Sequence, residues 1–181
     1  MNQLFHYIKR FCLAVLLVAA VSYSYGQADT EFPKGFIMYA KLHNGMITDF
    51  TSHPDLYVGG LQLAPQYTVV PHVLRAGIIA GAFYANKKMQ GELGPSFSLK
   101  IKTFNANLQG AHVGSLANIN LLIDHLWGTG RQRLLGGGII LDAGNLITFG
   151  ITAHRDYRLN NWWFQSEIAI RISKKHKNPP I

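Results

Sequence analysis

The 181-residue chain has a single cysteine, Cys12, and it lies inside an apolar run near the N-terminus. Beyond it there is no thiol for a disulfide, a nucleophile or a soft metal site. Charge is scarce as well: Asp, Glu, Lys and Arg make up 14% of the chain, against about 25% in an ordinary soluble domain. After the N-terminal run, no apolar stretch approaches the roughly 20 residues of a membrane-spanning helix. Short metal-ligand spacings are missing too, since His43, His53, His72, His112, His125, His154 and His176 are scattered. The Gly136-Gly137-Gly138 run lacks the following lysine of a phosphate loop, and is expected to mark a bend or close packing in a strand.

At the N-terminus, Lys9 and Arg10 precede an apolar run from Phe11 to Val21, and small and polar residues follow to Gly26. This is the layout of a cleaved secretory signal peptide. Cys12 sits within the run rather than at its end, which argues against a lipoprotein. The expected organisation is a signal peptide over residues 1–27, cut near Gly26, Gln27 or Ala28, and a short N-terminal segment over 28–34. One domain follows over 35–173, with a basic tail over 174–181, and the length suits a single domain. Removing Lys9 and Arg10 from the 17 basic residues leaves 15 against 9 acidic ones, a net charge of about +6. A basic balance commonly points to nucleic acid. Export argues against that partner and for anionic lipid or glycolipid.

The mature sequence is dominated by period-two alternation, which sends successive side chains to opposite faces of a strand. From Glu92 to Thr103, Leu93, Pro95, Phe97, Leu99, Ile101 and Thr103 oppose Glu92, Gly94, Ser96, Ser98, Lys100 and Lys102. From Trp162 to Ser173, Trp162, Phe164, Ile168 and Ile170 oppose Trp163, Gln165, Glu167 and Arg171. Comparable runs cover Phe36 to His43, Tyr57 to Val69, His72 to Tyr84, Arg133 to Ala143 and Leu146 to Tyr157. An eighth, His112 to Trp127, also fits a helical stripe after Ser115. A strand is preferred there because Asn118, Asn120 and Asp124 alternate with apolar neighbours and an even total results. Compact turns are expected at Val70-Pro71, Phe104 to Asn107 and Asp142 to Asn145. Links near Asn44 to Pro54, Asn86 to Gly91, Gly128 to Gln132 and Arg158 to Asn161 alternate with them. The fold class is therefore all-β, an antiparallel up-and-down barrel of about eight strands.

Alternation does not say which face is outside. A soluble lipocalin-like carrier would be apolar within and polar without. Its exposed faces would be crowded with Lys and Glu, whereas these polar faces hold Gly, Ser, Thr, Asn and Gln with isolated charges. Such residues suit the cramped interior of an eight-stranded barrel. Arg133 and Arg155 fall near strand ends, where a lipid-facing cation costs little. Aromatics gather at both sets of ends: Tyr57, Phe83, Tyr84, Trp127, Tyr157, Trp162, Trp163 and Phe164 beside one, and Phe36, Tyr67, Phe104 and Phe149 beside the other. Two interfacial belts have this distribution. The run from Phe36 to Ser173 thus resembles the small eight-stranded bacterial outer-membrane barrels, a likeness of architecture without a specific motif. That resemblance implies residence in the outer membrane, both termini in the periplasm and the Asn44, Asn86, Gly128 and Arg158 links outside. It also implies a C-terminal aromatic, which Lys174 to Ile181 replace here.

Two groups of residues are expected to matter. Lys41, Arg75, Glu92, Lys100, Lys102, Asp124, Asp142, Glu167 and Arg171 would form an interior polar network. Lys87, Lys88, Arg131, Arg133, Arg155 and Arg158 would form a basic outer rim suited to outer-membrane lipid such as lipopolysaccharide. No cofactor is expected. Small barrels that modify lipid A use His, Ser and an acidic residue, and one such family carries His-x-Ser on a strand. Here His112 is followed by Val113-Gly114-Ser115 and His154 by Arg155-Asp156, so the expectation is a non-enzymatic protein serving envelope integrity or surface and glycolipid interaction.

Overall fold

A computed structural model describes residues 35–51, 56–108, 111–143 and 146–172. The expected signal peptide, N-terminal segment 28–34 and basic tail lie outside the described residues. The eight strands are β1 (Phe36–Thr48), β2 (Leu56–Val70), β3 (Leu74–Ala85), β4 (Lys88–Leu108), β5 (Ala111–Gly128), β6 (Arg133–Ala143), β7 (Ile147–Asp156) and β8 (Asn161–Arg171). Each pairs antiparallel with its sequence neighbour, and β8 closes on β1. Following the register once round the wall from Lys41 returns to the first strand about ten residues further along, a stagger that tilts the strands steeply to the barrel axis. Even the shortest strand, β7, has 10 residues, enough to cross the apolar core of a bilayer when tilted.

Closure leaves no edge in the wall and fixes the two faces. The outer surface carries Leu42, Leu61, Leu63, Ile78, Leu93, Phe97, Leu135, Ile139, Phe149, Ile151, Ile168 and Ile170, all exposed. The inner surface carries Lys41, Gln62, Gln66, Arg75, Ser96, Ser98, Asn118, Asn120, Asp142, Thr148 and Glu167, all buried. A soluble barrel has the reverse arrangement. This inverted one is the architecture of a transmembrane β-barrel, in which lipid solvates the outward apolar face and strand-to-strand hydrogen bonds satisfy the backbone.

Residues 112–127 are strand, with Asn118, Asn120 and Asp124 inward and Ile119, Leu121 and Ile123 outward. A helix there would have left β4 and β6 with open edges, a cost that closure removes. The Phe104–Asn107 turn does not form: β4 continues to Leu108, paired with Ala111. β1 likewise runs on through Asn44 to Thr48. The link expected from Asn86 to Gly91 is only a two-residue turn, with Asn86 and Lys87 at φ 48° and 60°. Positive φ at both central residues matches the right-handed twist of the flanking strands, so the hairpin closes tightly and Lys88 to Gly91 join β4.

The interior is not uniformly polar. Phe83 and Trp163, expected in an aromatic belt, point inward and are 0% and 1% exposed. Their rings meet edge to face with centroids 5.3 Å apart. With Ile47, Val58, Leu126 and Leu134 they form an apolar plug across the end away from the termini. The remaining expected belt aromatics with described outward positions, such as Tyr57, Tyr84, Tyr157, Phe36 and Tyr67, are exposed.

Candidate functional site

The inward positions of eight neighbouring strands converge, so groups distant in sequence meet. Lys41 on β1 donates to both carboxylate oxygens of Glu167 on β8, at 3.1 and 3.2 Å. Arg75 on β3 donates to the Tyr39 hydroxyl at 3.2 Å, and Tyr39 donates to Asp142 on β6 at 3.3 Å. The Arg75 and Asp142 charges are themselves 3.9 Å apart. Gln62 on β2 donates to Glu92 on β4 at 2.7 Å, and His43 lies 4.0 Å from the same carboxylate. Asp124 on β5 and His154 on β7 approach to 2.6 Å. Pairing of this kind holds buried charges that would be costly alone.

Most of the expected interior network is therefore brought together: Lys41 with Glu167, Arg75 with Asp142, and Glu92 and Asp124 with new partners. Lys100 and Arg171 are half-buried toward the terminal end, where Arg171 is the register partner of Tyr39. Lys102 is a correction. Lys100 pairs with Asn120 but Lys102 pairs with Ile119, so Ile101 is an extra, bulged residue. The bulge reverses the facing of the residues just after it. Lys102 turns outward, over the Phe104 ring at 5.1 Å, and Thr103 turns inward to hydrogen-bond Asn118 at 2.8 Å. Tyr39, His43, Gln62 and His154 belong to the network without having been singled out. Their inward parity on β1, β2 and β7 was the available signal.

Between the pairs there remains a cavity of about 20 Å³ lined by Tyr39, Lys41, Arg75, Asn120, Asp142 and Glu167, room for about one water. Gly150 makes part of that crowding possible, because a Cβ there would lie 2.3 Å from Ile140 Cδ1 and 2.8 Å from Glu167 Cγ. The Asp124–His154 pair has the orientation of a general base with its carboxylate. Among the described residues the buried Ser96 hydroxyl and His154 Nδ1 have no hydrogen-bond partner. The apolar plug also closes the approach from the far end. Among the described residues no group of three or more His, Cys, Asp or Glu could hold a metal.

All six expected rim residues fall at the end away from the termini. Lys87 belongs to the β3–β4 turn, Lys88 to the start of β4, Arg131 to the β5–β6 turn, Arg133 to the start of β6, Arg155 to the end of β7 and Arg158 to the β7–β8 turn. Asp156 organises that last turn from inside, its Oδ1 accepting from the backbone N–H groups of Arg133, Arg158 and Leu159 at 3.2, 3.0 and 3.0 Å. Acidic groups are segregated. Glu92, Asp124, Asp142, Asp156 and Glu167 are buried within the barrel, and among the described acidic residues only Asp49 is exposed. Among the described residues the exposed charges are therefore cations apart from Asp49.

No family model matches the sequence, and no curated protein matches it. Two solved structures are similar to it, both designed. One, described as "De novo design of transmembrane beta-barrels", is 16% identical over 77% of this chain and 97% of its own, with a TM-score of 0.47. The other, the solution NMR structure of the de novo designed TMB2.3, is 14% identical over 80% of this chain and 99% of its own, with a TM-score of 0.46. At that distance neither bears on what this barrel does.

Proposed function

We propose that the chain is a non-enzymatic outer-membrane protein whose filled barrel contributes to envelope integrity by engaging anionic glycolipid at its outer rim. The observation that carries this reading is the separation of charge: acids are paired inside the wall while Lys87, Lys88, Arg131, Arg133, Arg155 and Arg158 stand outside at one end. Cations beside an apolar belt attract phosphate-bearing headgroups, an effect that declines with distance over about a Debye length. The same separation argues against a lipocalin-like carrier, whose inner wall would be the apolar one. It argues against a diffusion pore as well, since ion pairs and the Phe83–Trp163 plug fill the bore. The signal-like sequence at Lys9 to Gly26 supports export.

The test is fractionation of cells expressing the full-length chain, followed by gel migration with and without boiling. Recovery with the outer membrane as a heat-modifiable band is expected, and the six-fold charge removal at the rim should release lipopolysaccharide from the detergent-extracted protein. Recovery in the soluble periplasm, or undiminished lipopolysaccharide after charge removal, would end this reading.

A further inference from the structure

The rim cations are not equivalent. Lys87 stands on a two-residue turn and Lys88 begins β4, both exposed. Arg133 and Arg155 instead stand on the outward wall of adjacent strands. Leu135 is the register partner of Arg155, and Tyr157 N–H donates to Arg133 O at 3.2 Å. The two arginines are therefore diagonal neighbours, a relation that places side chains about 7–8 Å apart at their roots. Two long guanidinium side chains can converge from that spacing on a single anion.

An aromatic frame surrounds them. Arg155 lies over the Trp162 ring at 5.3 Å and donates to Asn160 Oδ1, which hold its guanidinium on the β8 side, so it must turn from there to share an anion with Arg133. His125 Nε2 and the Tyr157 hydroxyl are 3.0 Å apart, and the His125 and Trp127 ring centroids 4.8 Å apart. Asp156, next to Arg155 in sequence, faces inward and is 0% exposed. Along the wall toward the termini the surface is apolar, with Leu135, Ile139, Phe149 and Ile151 exposed.

We propose that Arg133 and Arg155, framed by His125, Trp127, Tyr157 and Trp162, form a discrete site on the β5–β8 wall for the phosphate headgroup of a membrane lipid. This rests on the reading that the barrel spans a lipid membrane. The forked guanidinium donors match a phosphate bidentately. The interfacial aromatics set its depth, and the apolar wall beside the site takes the acyl chains. That last feature selects a lipid over free phosphate.

The test uses the folded barrel in detergent micelles and native mass spectrometry, with dioleoyl phosphatidic acid as probe and dioleoylglycerol as its phosphate-free counterpart. One tightly held phosphatidic acid is expected, preferred at least roughly tenfold over dioleoylglycerol. Arg133→Gln with Arg155→Gln should weaken it by about tenfold, Lys87→Gln with Lys88→Gln, on the same rim but off the site, by only about two- to threefold, and Lys102→Gln, outward at the opposite end, not at all. Arg133→Lys with Arg155→Lys keeps the charge and folding but removes the fork, and is expected to weaken binding by about threefold. Equal losses from the arginine and lysine pairs would replace the site with a diffuse basic rim and leave the proposed function standing. Inorganic phosphate binding as tightly as the lipid, or no loss in the arginine variants, would overturn the site. A chain recovered without detergent would instead overturn the membrane reading beneath it.

Discussion

Removing Lys41 is the sharpest probe of the interior. Its ammonium contacts both oxygens of Glu167, and both side chains are 6% exposed. Lys41→Met preserves the stem volume and leaves a carboxylate enclosed by Ile140, Gly150 and Thr148 with its cation gone. Breaking a buried pair from one side costs about 3–5 kcal/mol, because the remaining charge is uncompensated. Glu167→Gln strands the lysine similarly, although an amide can still accept, so a loss of about 2–3 kcal/mol is expected. The double variant has no stranded charge. It should lose less than the two single losses combined, with a coupling of about 2 kcal/mol. Reversible urea unfolding in lipid vesicles, followed by tryptophan fluorescence and gel mobility, measures all three. If each single change costs under about 1 kcal/mol and the two add, the lumen is wet enough to screen the pair, and the account of a filled, dry interior is wrong.

Three further perturbations probe other parts of the wall. Phe83→Ala removes half of the apolar plug against Trp163, and should cost about 3–5 kcal/mol while raising ion conductance in planar bilayers; unchanged conductance would mean that the polar layer beneath seals the bore alone. Gly150→Ala forces a methyl against Ile140 and Glu167 and should destabilise by about 1–3 kcal/mol, whereas Gly91→Ala meets Thr129 Cγ2 at 3.4 Å and Gly81 O at 3.8 Å and should be near neutral in the same unfolding assay. Ile151→Arg places a cation at mid-wall on a side chain that is 73% exposed. In a bilayer this should cost about 2–4 kcal/mol, and a neutral result in lipid vesicles would show that the outer face does not meet hydrocarbon.

Much of the architecture was legible because period-two alternation reports facing directly. Ile147, Phe149 and Ile151 against Thr148, Thr152 and His154 could be sorted in and out without coordinates, and the inward residues Lys41, Arg75, Asp142 and Glu167 followed from the same parity. Lys102 was misplaced because one bulged residue at Ile101 shifts the parity of the residues that follow it. That bulge has no glycine or proline to announce it. Phe83 and Trp163 were grouped with belt aromatics because an aromatic near a strand end suits both a membrane interface and a lumen plug. The role of His154 was hidden for a different reason: its partner Asp124 lies two strands away, and nothing local to either residue specifies that distance.

The sequence by itself determined that this chain alternates into strands with one apolar and one small polar face, and that its cations cluster near one set of links. These are local properties, set by where consecutive Cβ atoms point. Only the tertiary structure decided which inward groups meet, where the wall bulges and that Arg133 and Arg155 share one patch. Those outcomes depend on the register at each hairpin, and register accumulates around the barrel until β8 must close on β1. A one-residue shift at any turn would leave every strand alternating as before and give Lys41, Glu92 and His154 different neighbours.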